Sequence, residues 1–447
     1  MIKTILSLTF FILPLTTQAL VSPQEASRLG KDLTPVGAEK QGNGSDIPAW
    51  NGGLPIRKDI KAGSFHPNPF ADDNSLLRIS SVNMEKYAAR LSPGQKALLT
   101  QFPDYYLEVY PSRRSASYPQ YVYDAIKANA TNAKLLKYGS GVSGATMSSP
   151  FPIPSNGVEA LWNHTLRFRG HSWAYTAVAT SVLPNGQRMD VLREYQYYVA
   201  YSKLGAKAEE FDNKIFFLKR KNLAPAKMAG GMTLVHETLD QIEAPRASWV
   251  YVQGQRRLRR TPDLAYDTAD INTDSIRTID QVDIFNGAPD YYEWTLVGKQ
   301  ELFIPYNSYR VHQDNLKLND ILLNNHLNPK YLRYEPHRVW VVEANLRVGF
   351  SHRYAKRRYY LDEDSWSIVL AEEYDSSGKL LQVTEAHTIN YYDMGLVYPT
   401  VEVTYDLANK RYYAEGLDNE RPSSINFQLD FDPQDFSPNA LRRDAVR

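Results

Sequence analysis

The chain of 447 residues has no cysteine. That excludes disulfides, a thiolate metal site, a cysteine nucleophile and a lipid-attachment cysteine. Histidine is sparse, nine in all, and none falls at metal-ligand spacing. The nearest approach, Val235-His236-Glu237-Thr238-Leu239-Asp240, puts Asp240 where a zinc-protease helix carries its second histidine. Its alternation reads instead as a strand with an exposed acid. Charge of one sign is lacking too. A net charge of +1, with acids and bases mixed along the chain, argues against nucleic-acid binding, which needs a domain-wide basic excess. There is no Gly-x-Ser-x-Gly elbow and no phosphate-binding P-loop. Gly139-Ser140-Gly141-Val142-Ser143-Gly144 spells a dinucleotide fingerprint, but the next stretch is broken by prolines where a helix should open, so it reads as a loop.

Long hydrophobic runs are confined to the first residues. Lys3 precedes an apolar stretch over 5–15, and Thr16, Thr17 and Gln18 lead to Ala19. This has the form of a secretory signal peptide cut after Ala19, too short to prefer spanning a membrane. The expectation is an exported, soluble mature protein.

What the chain has in excess is tyrosine, 31 against 16 Phe and 7 Trp. Strands tolerate tyrosine well, because the ring packs on the pleat while the hydroxyl stays wet. Decoration of a sheet is the plain reading; a groove for a hydrophobic ligand is the sharper one. Period-two runs fill 336–417, between turns at Asp362-Glu363-Asp364-Ser365, Asp375-Ser376-Ser377-Gly378 and 406–409. The connections are too short for crossover helices, so this is an antiparallel meander. In its first run Trp340, Val342, Ala344, Leu346 and Val348 share one face and are the candidate lining of a concave side. Asp362-Glu363-Asp364 lacks the glycine and oxygen spacing of a calcium loop and reads as a solvated turn. A paired-carboxylate glycosidase would draw on acids far apart in sequence, and nothing here selects a pair.

Upstream, 21–70 is rich in Gly, Pro, Asn and Asp and reads as an extended arm lying on the domain. Helices are expected over 82–91, 93–101 and 118–134, and a short capped one begins at Ser155-Asn156. Asn185-Gly186 marks a hairpin, and Gln253-Gly254-Gln255 marks another. The residues after that turn include Arg256, Arg257, Arg259 and Arg260. These read either as a charged, solvated sheet edge or as a contact for a lipid head group or an acidic partner. A further helix is expected over 276–285, and a short helix or loop insertion over 316–327. The resulting partition is 1–19 signal peptide, 20–150 arm and helical region packed on the sheet, 151–420 sheet domain, and 421–447 polar surface tail. The fold class is α+β, one large antiparallel sheet that must be curled or covered.

Several long segments, among them LTPVGAEKQGNGSDIPAWNGG, FPIPSNGVEALWNH, ASWVYVQGQRRLRRTPDLAYD, DIFNGAPDYYEW and YAKRRYYLDEDSWSIVLAEEYD, closely resemble one bacterial exported family. It is the family labelled domain of unknown function 1329, described as outer-membrane lipoprotein-sorting-like. The resemblance implies a fold similar to the periplasmic carriers LolA and LolB: a strongly curved, unclosed barrel with helices plugging an apolar cavity that holds acyl chains. It also implies Gram-negative origin and the company of resistance-nodulation-division exporters. It carries no catalytic residues, metal or cofactor. The expected function is therefore a periplasmic carrier or chaperone for a lipid-like or otherwise hydrophobic ligand, not an enzyme. The rivals are an interaction module docking an exporter or outer-membrane protein, and an envelope lipid or glycan hydrolase.

Overall fold

Caps and turns dominate the first third of the chain, as its composition requires. The structure is a computed structural model that describes residues 21–207, 210–261 and 266–446. The expected signal peptide, with its cleavage at Ala19, lies outside the described residues. The short helix α1 (Pro23–Ala26) opens an arm with little regular structure that nevertheless buries Thr34, Ala38 and Ile47. After β1 (Leu77–Ile79), the expected helix over 82–91 is a single 3-10 segment, Met84–Arg90. Helix α2 (Pro93–Gln101) forms where expected: Ser92 accepts from the Gln95 amide at 3.1 Å, Gln95 accepts from the Ser92 amide at 3.0 Å, and Pro93 holds the first helical position. Then come β2 (Leu107–Val109), α3 (Gln120–Asn132), the small ribbon β3 (Lys134–Leu135) and β4 (Val142–Ser143), and α4 (Gly157–Thr165), capped by Asn156. The G-x-G-x-x-G stretch lies in the loop and ribbon, with no helix following it.

From here strands take over. The first meander is β5 (Ser172–Val182), β6 (Arg188–Val199), β7 (Lys214–Ala224), β8 (Met232–Thr238), β9 (Ala247–Val252) and β10 (Arg257–Arg260). The second is β11 (Tyr292–Pro305), β12 (Tyr334–Leu346), β13 (Lys356–Asp362), β14 (Ile368–Tyr374), β15 (Leu380–Tyr391), β16 (Leu396–Asp406) and β17 (Arg411–Leu417). A short helix α5 (Leu318–Ile321) sits between β11 and β12. Antiparallel pairing of β17 with β5 joins the two meanders. With β1 and β2 attached to β12 by one parallel bridge, they form a single 15-stranded sheet. No pairing joins β10 to β11 among the described residues, so the sheet is not closed.

The sheet curls because bulges interrupt its register at Leu296/Gly298, Tyr360/Leu361, His387/Thr388 and Ala414/Leu417. The curl is visible in the core. One cluster joins Trp173 of β5 and Phe216 of β7 to Val342 and Ala344 of β12, strands far apart in the sheet order. Val122 and Ile126 of α3, Leu161 and Trp162 of α4, and Val36 and Ala38 of the arm fill the space between them. A second cluster covers the opposite face, with Leu98 and Leu99 of α2 and Ile321 of α5 packed on Val383, Val403, Tyr405 and Tyr412. Alternation predicts one buried face; the structure buries both across β12, where Val339 and Val341 are fully covered as well.

Three further expectations are corrected. Residues 276–285 form no helix but belong to an irregular strap. Asp274 and Ser275 take positive φ there, Asp270 caps its own turn at Asn272, and such short polar side chains compete with helical hydrogen bonds. The surface tail expected over 421–447 is, through its described residues, packed on the sheet. Asn426 bridges Ala174, Phe427 enters the main core, and α6 (Pro438–Val446) sets Leu441 against Met232, Leu234 and Tyr251. Glu237 is no exposed acid: it is fully buried against Arg246 and Asn286.

Leu441→Ala empties a site closed by Phe436 and the strands β8 and β9. It should lower the unfolding free energy by about 2–4 kcal/mol, read from the urea midpoint at unchanged slope. A loss below about 0.5 kcal/mol, the range of ordinary surface changes, would mean that the C-terminal helix is undocked in solution.

Candidate functional site

Tyrosines gather where the two meanders meet. The tight Asn185-Gly186 turn sets Val182 opposite Arg188, and that register brings Tyr175 against Tyr195 and Trp173 against Tyr197. Both pairs stack, at 4.7 Å and 9° and at 4.6 Å and 13° between ring planes. Phe216 and Leu218 continue this inner face on β7, and Tyr398, Glu402, Tyr413 and Glu415 continue it on β16 and β17. Gly416, at φ of 88°, makes the bulge at the junction; a Cβ there would lie 2.6 Å from the Thr400 carbonyl oxygen. The strap over 269–288 crosses this face and leaves a cavity of about 100 Å3 beneath it.

Polar side chains fasten the strap at several points. Asp280 binds Arg357 at 2.8 and 3.1 Å. Asn286 donates to Glu237 at 2.8 Å. Arg277 meets Glu415 and lies 3.5 Å from Glu402. Asp283 lies on Arg167, at 2.9 and 2.5 Å, and on Arg169 at 2.6 Å. His164 donates from Nε2 to the Asp283 carbonyl at 2.9 Å while its Nδ1 accepts from the Ile368 amide at 3.0 Å. Burial and then Arg167 push this imidazole down to about 3, so it stays neutral. Burial acts to raise the Asp283 carboxyl, but Arg167 and Arg169 overcome it and hold the group well below the usual carboxylate range. Glu402 goes the other way, pushed up to about 8 by burial and by Glu415, its partner across the strands, against the pull of Arg277.

The residues singled out from sequence lie elsewhere. Val342 and Ala344 are buried in packed core, and Trp340 and Leu346 pack against it. Trp340 stacks on Trp366, with the Lys299 ammonium 4.8 Å from its ring centre. Val348 corrects its assignment outright: it follows the end of β12 and is 102% exposed, so it lines nothing. None of the five lines the cavity under the strap. Arg256, in the left-handed region, ends the β9–β10 turn; Arg257, Arg259 and Arg260 stand exposed on β10, an outermost strand of the sheet.

The turn at Asp362-Glu363-Asp364 is also corrected: all three acids are buried. Arg114 grips Asp364 at 2.8 and 2.7 Å, while Arg338 and Lys299 hold Glu363 at 3.1 and 2.9 Å. Their charge is matched by cations from the arm's neighbours, which a strand-by-strand reading does not reveal. Burial and then Asp364 push Asp362 up to about 7. Ligand atoms of His337, Asp362 and Asp364 lie within 4.8 Å of one another. Arg114 already takes both oxygens of Asp364, so a guanidinium rather than a metal ion meets the charge there.

Residues 78–442 match the profile of the family described as protein of unknown function, DUF1329. The chain is also 40% identical over 443 residues to uncharacterized protein PA3922 of Pseudomonas aeruginosa, covering 98% of this chain and 97% of that one. The chain belongs to this family. Among solved structures, it is similar to a domain assigned to outer-membrane lipoprotein sorting from Vibrio parahaemolyticus, with 14% identity, 64% of this chain and 98% of that one covered, and a TM-score of 0.45. A LolA superfamily protein from Nitrosomonas europaea gives 16% identity, 64% and 100% coverage, and a TM-score of 0.37.

Glu402 makes stability depend on pH. Its folded value of about 8 stands above the usual carboxylate value of about 4.3, so the folded state keeps a proton that the unfolded state releases. That preference is complete below the unfolded value and is lost as pH rises through about 8. Thermal midpoints should therefore fall between pH 7 and pH 9, and Glu402→Gln should flatten the fall. An identical slope in the variant would place Glu402 ionised across the range.

Proposed function

We propose that this protein is a periplasmic carrier or chaperone for a lipid-like or otherwise hydrophobic ligand. The ligand is held between the strap and the tyrosine-rich inner face of β5–β7 and β16–β17. The observation that carries this reading is the cavity itself: a concave, aromatic-walled space on the inner side of an unclosed sheet, covered by an irregular segment rather than by a strand or helix. Apolar area buried there contributes about 25 cal/mol per Å2. The closed cavity, about 100 Å3, is smaller than a usual ligand site of about 300 Å3 or more, so an alkyl chain enters as the strap moves. The export-type N-terminus supports the compartment. Among the described residues no helix is long and apolar enough to cross a membrane.

The test is purification without detergent, organic extraction and mass spectrometry, followed by titration with the fluorescent probe N-phenyl-1-naphthylamine. We expect co-purified lipid or saturable probe binding, and Leu218→Trp, which fills the cavity, should weaken the probe about tenfold with the thermal midpoint little changed. A protein that comes away empty and takes up no probe would sink the proposal.

One observation favours the hydrolase reading: Glu402 and Glu415 face each other across β16 and β17 in the cavity wall. Arg277 reaches both carboxylates, however, and occupies the space where a scissile bond would have to lie. We take Glu415 as the counter-charge of the buried Arg277, with Glu402 held protonated beside it.

In this proposal the arginines at 256, 257, 259 and 260 form a docking edge for an anionic head group or an acidic surface on an envelope exporter. Among the described residues no carboxylate lies within ion-pair distance of any of the four; Arg259 bonds only Gln255, at 2.7 Å. Replacing all four with Gln should lower retention on vesicles containing phosphatidylglycerol at low salt, where screening is weakest. Equal retention of variant and wild type would leave the cluster as a solvated edge that blocks strand-to-strand association.

A further inference from the structure

Arg167 and Arg169 are two buried cations that share one carboxylate. They follow α4 at 3% and 7% exposure, and among the described residues the only carboxylate either of them pairs with is Asp283 of the strap. Their Nε donors find no partner. Buried guanidiniums left without an anion are costly, so this site requires an oxyanion. The oxyanion present arrives in a strained conformation. Asp283 has φ of 52° and is followed by Ile284 at φ of 65°, a β-branched residue in a region such residues avoid. Arg169 and Asp283 both border the cavity, next to Tyr197, Phe216 and Tyr398. The charges nearby also lean towards an anion. Arg167, Arg169, Arg220 and Arg277 face Asp270, Asp283, Glu402 and Glu415, four against four, and Glu402 holds a proton at neutral pH.

We propose that Arg167 and Arg169 are the head-group site for a single-chain anionic amphiphile, whose alkyl chain runs along the tyrosine wall, and that Asp283 fills this site as an internal stand-in when no ligand is bound. The inference rests on the carrier reading and adds to it the charge and the head of the ligand. The incoming anion exchanges with the Asp283 carboxylate, so binding of the ligand and release of the strap are one event. Apparent affinity is then the intrinsic affinity reduced by the fraction of molecules whose strap is open. Removing the Asp283 charge should lift that reduction, and most for anions, which also restore the counter-charge.

The experiment uses the whole mature chain and displacement of N-phenyl-1-naphthylamine by dodecanoate, dodecyl phosphate and 1-dodecanol, which share one chain length. We expect wild type to prefer either anion over the alcohol by about tenfold or more. Asp283→Asn should tighten dodecanoate by about tenfold more than it tightens the alcohol. Arg169→Gln should abolish the preference. In hydrogen exchange, dodecanoate but not dodecanol should expose amides over 276–286. The wild-type comparison needs no variant, so a poorly folding substitution does not blunt the test. Equal binding of anions and alcohol by a protein that still takes up the probe overturns this inference and leaves the carrier reading standing. No binding of probe, anion or alcohol overturns both. A preference for dodecyl phosphate alone would narrow the head group to phosphate and support the site.

Discussion

Antiparallel pairing of β17 with β5 is the contact on which the molecule depends. Each meander alone is a ribbon with two long free edges and an uncovered apolar face, an arrangement prone to association. Joined at this seam they make one sheet long enough to curl, and the bulge at Gly416 lets it bend at the junction. The curl brings Trp173 and Phe216 into one core with Val342 and Tyr359. The same bend sets the tyrosines of β5 and β6 opposite those of β16 and β17. The cavity is therefore a product of the seam rather than of any single strand.

Charge, not helix, closes that cavity. The strap holds its course through Asp280, Asp283 and Arg277, each matched by an opposite charge on the sheet or behind α4. Buried pairs of this kind add little net stability over well-packed apolar residues, yet removing one partner costs several kcal/mol, about 3–5 for a fully buried pair. Their effect is specificity: the strap has one register, because any shift strands a guanidinium or a carboxylate in the interior. A helix laid on the same face could slide along an apolar stripe. An irregular segment pinned by ion pairs either sits in place or comes off.

Local chemistry made much of the sheet legible in advance. Ser92, Pro93 and Gln95 announce α2, Asn185-Gly186 announces the β5–β6 hairpin, and period-two runs announce β12 to β17. The tyrosine wall was within reach as well, since a tight turn at Asn185-Gly186 already places Tyr175 opposite Tyr195. What sequence could not show is tertiary compensation. Asp362, Glu363 and Asp364 have the composition of a solvated turn, and only Arg114, Lys299 and Arg338, from distant segments, allow them inside. The C-terminal segment is polar on average, but its few apolar residues, Phe427, Phe436 and Leu441, fall where the sheet needs cover. In the strap Ile276, Ile279 and Ile284 recur at nearly helical spacing, but the aspartates between them bond to separate elements, Asp280 to Arg357 of β13 and Asp283 to Arg167 after α4.

The balance of areas decides whether such a strap can exchange with a ligand. Ile276, Ile284 and Phe285 are its large fully covered apolar side chains. At about 1.5–3 kcal/mol each, they contribute roughly 5–9 kcal/mol to keeping it down. An alkyl chain of dodecyl length, at about 0.8 kcal/mol per methylene, recovers roughly 9 kcal/mol when fully buried. The two are near parity, so apolar area alone neither locks the strap nor releases it. The outcome then falls to the polar end of the exchange, where one oxyanion replaces another on the same two guanidiniums. A neutral chain that lifted Asp283 away would leave Arg167 and Arg169 buried without a counter-ion, at a cost that parity in area cannot offset. The balance that holds the strap closed thus also selects the charge of the molecule able to open it.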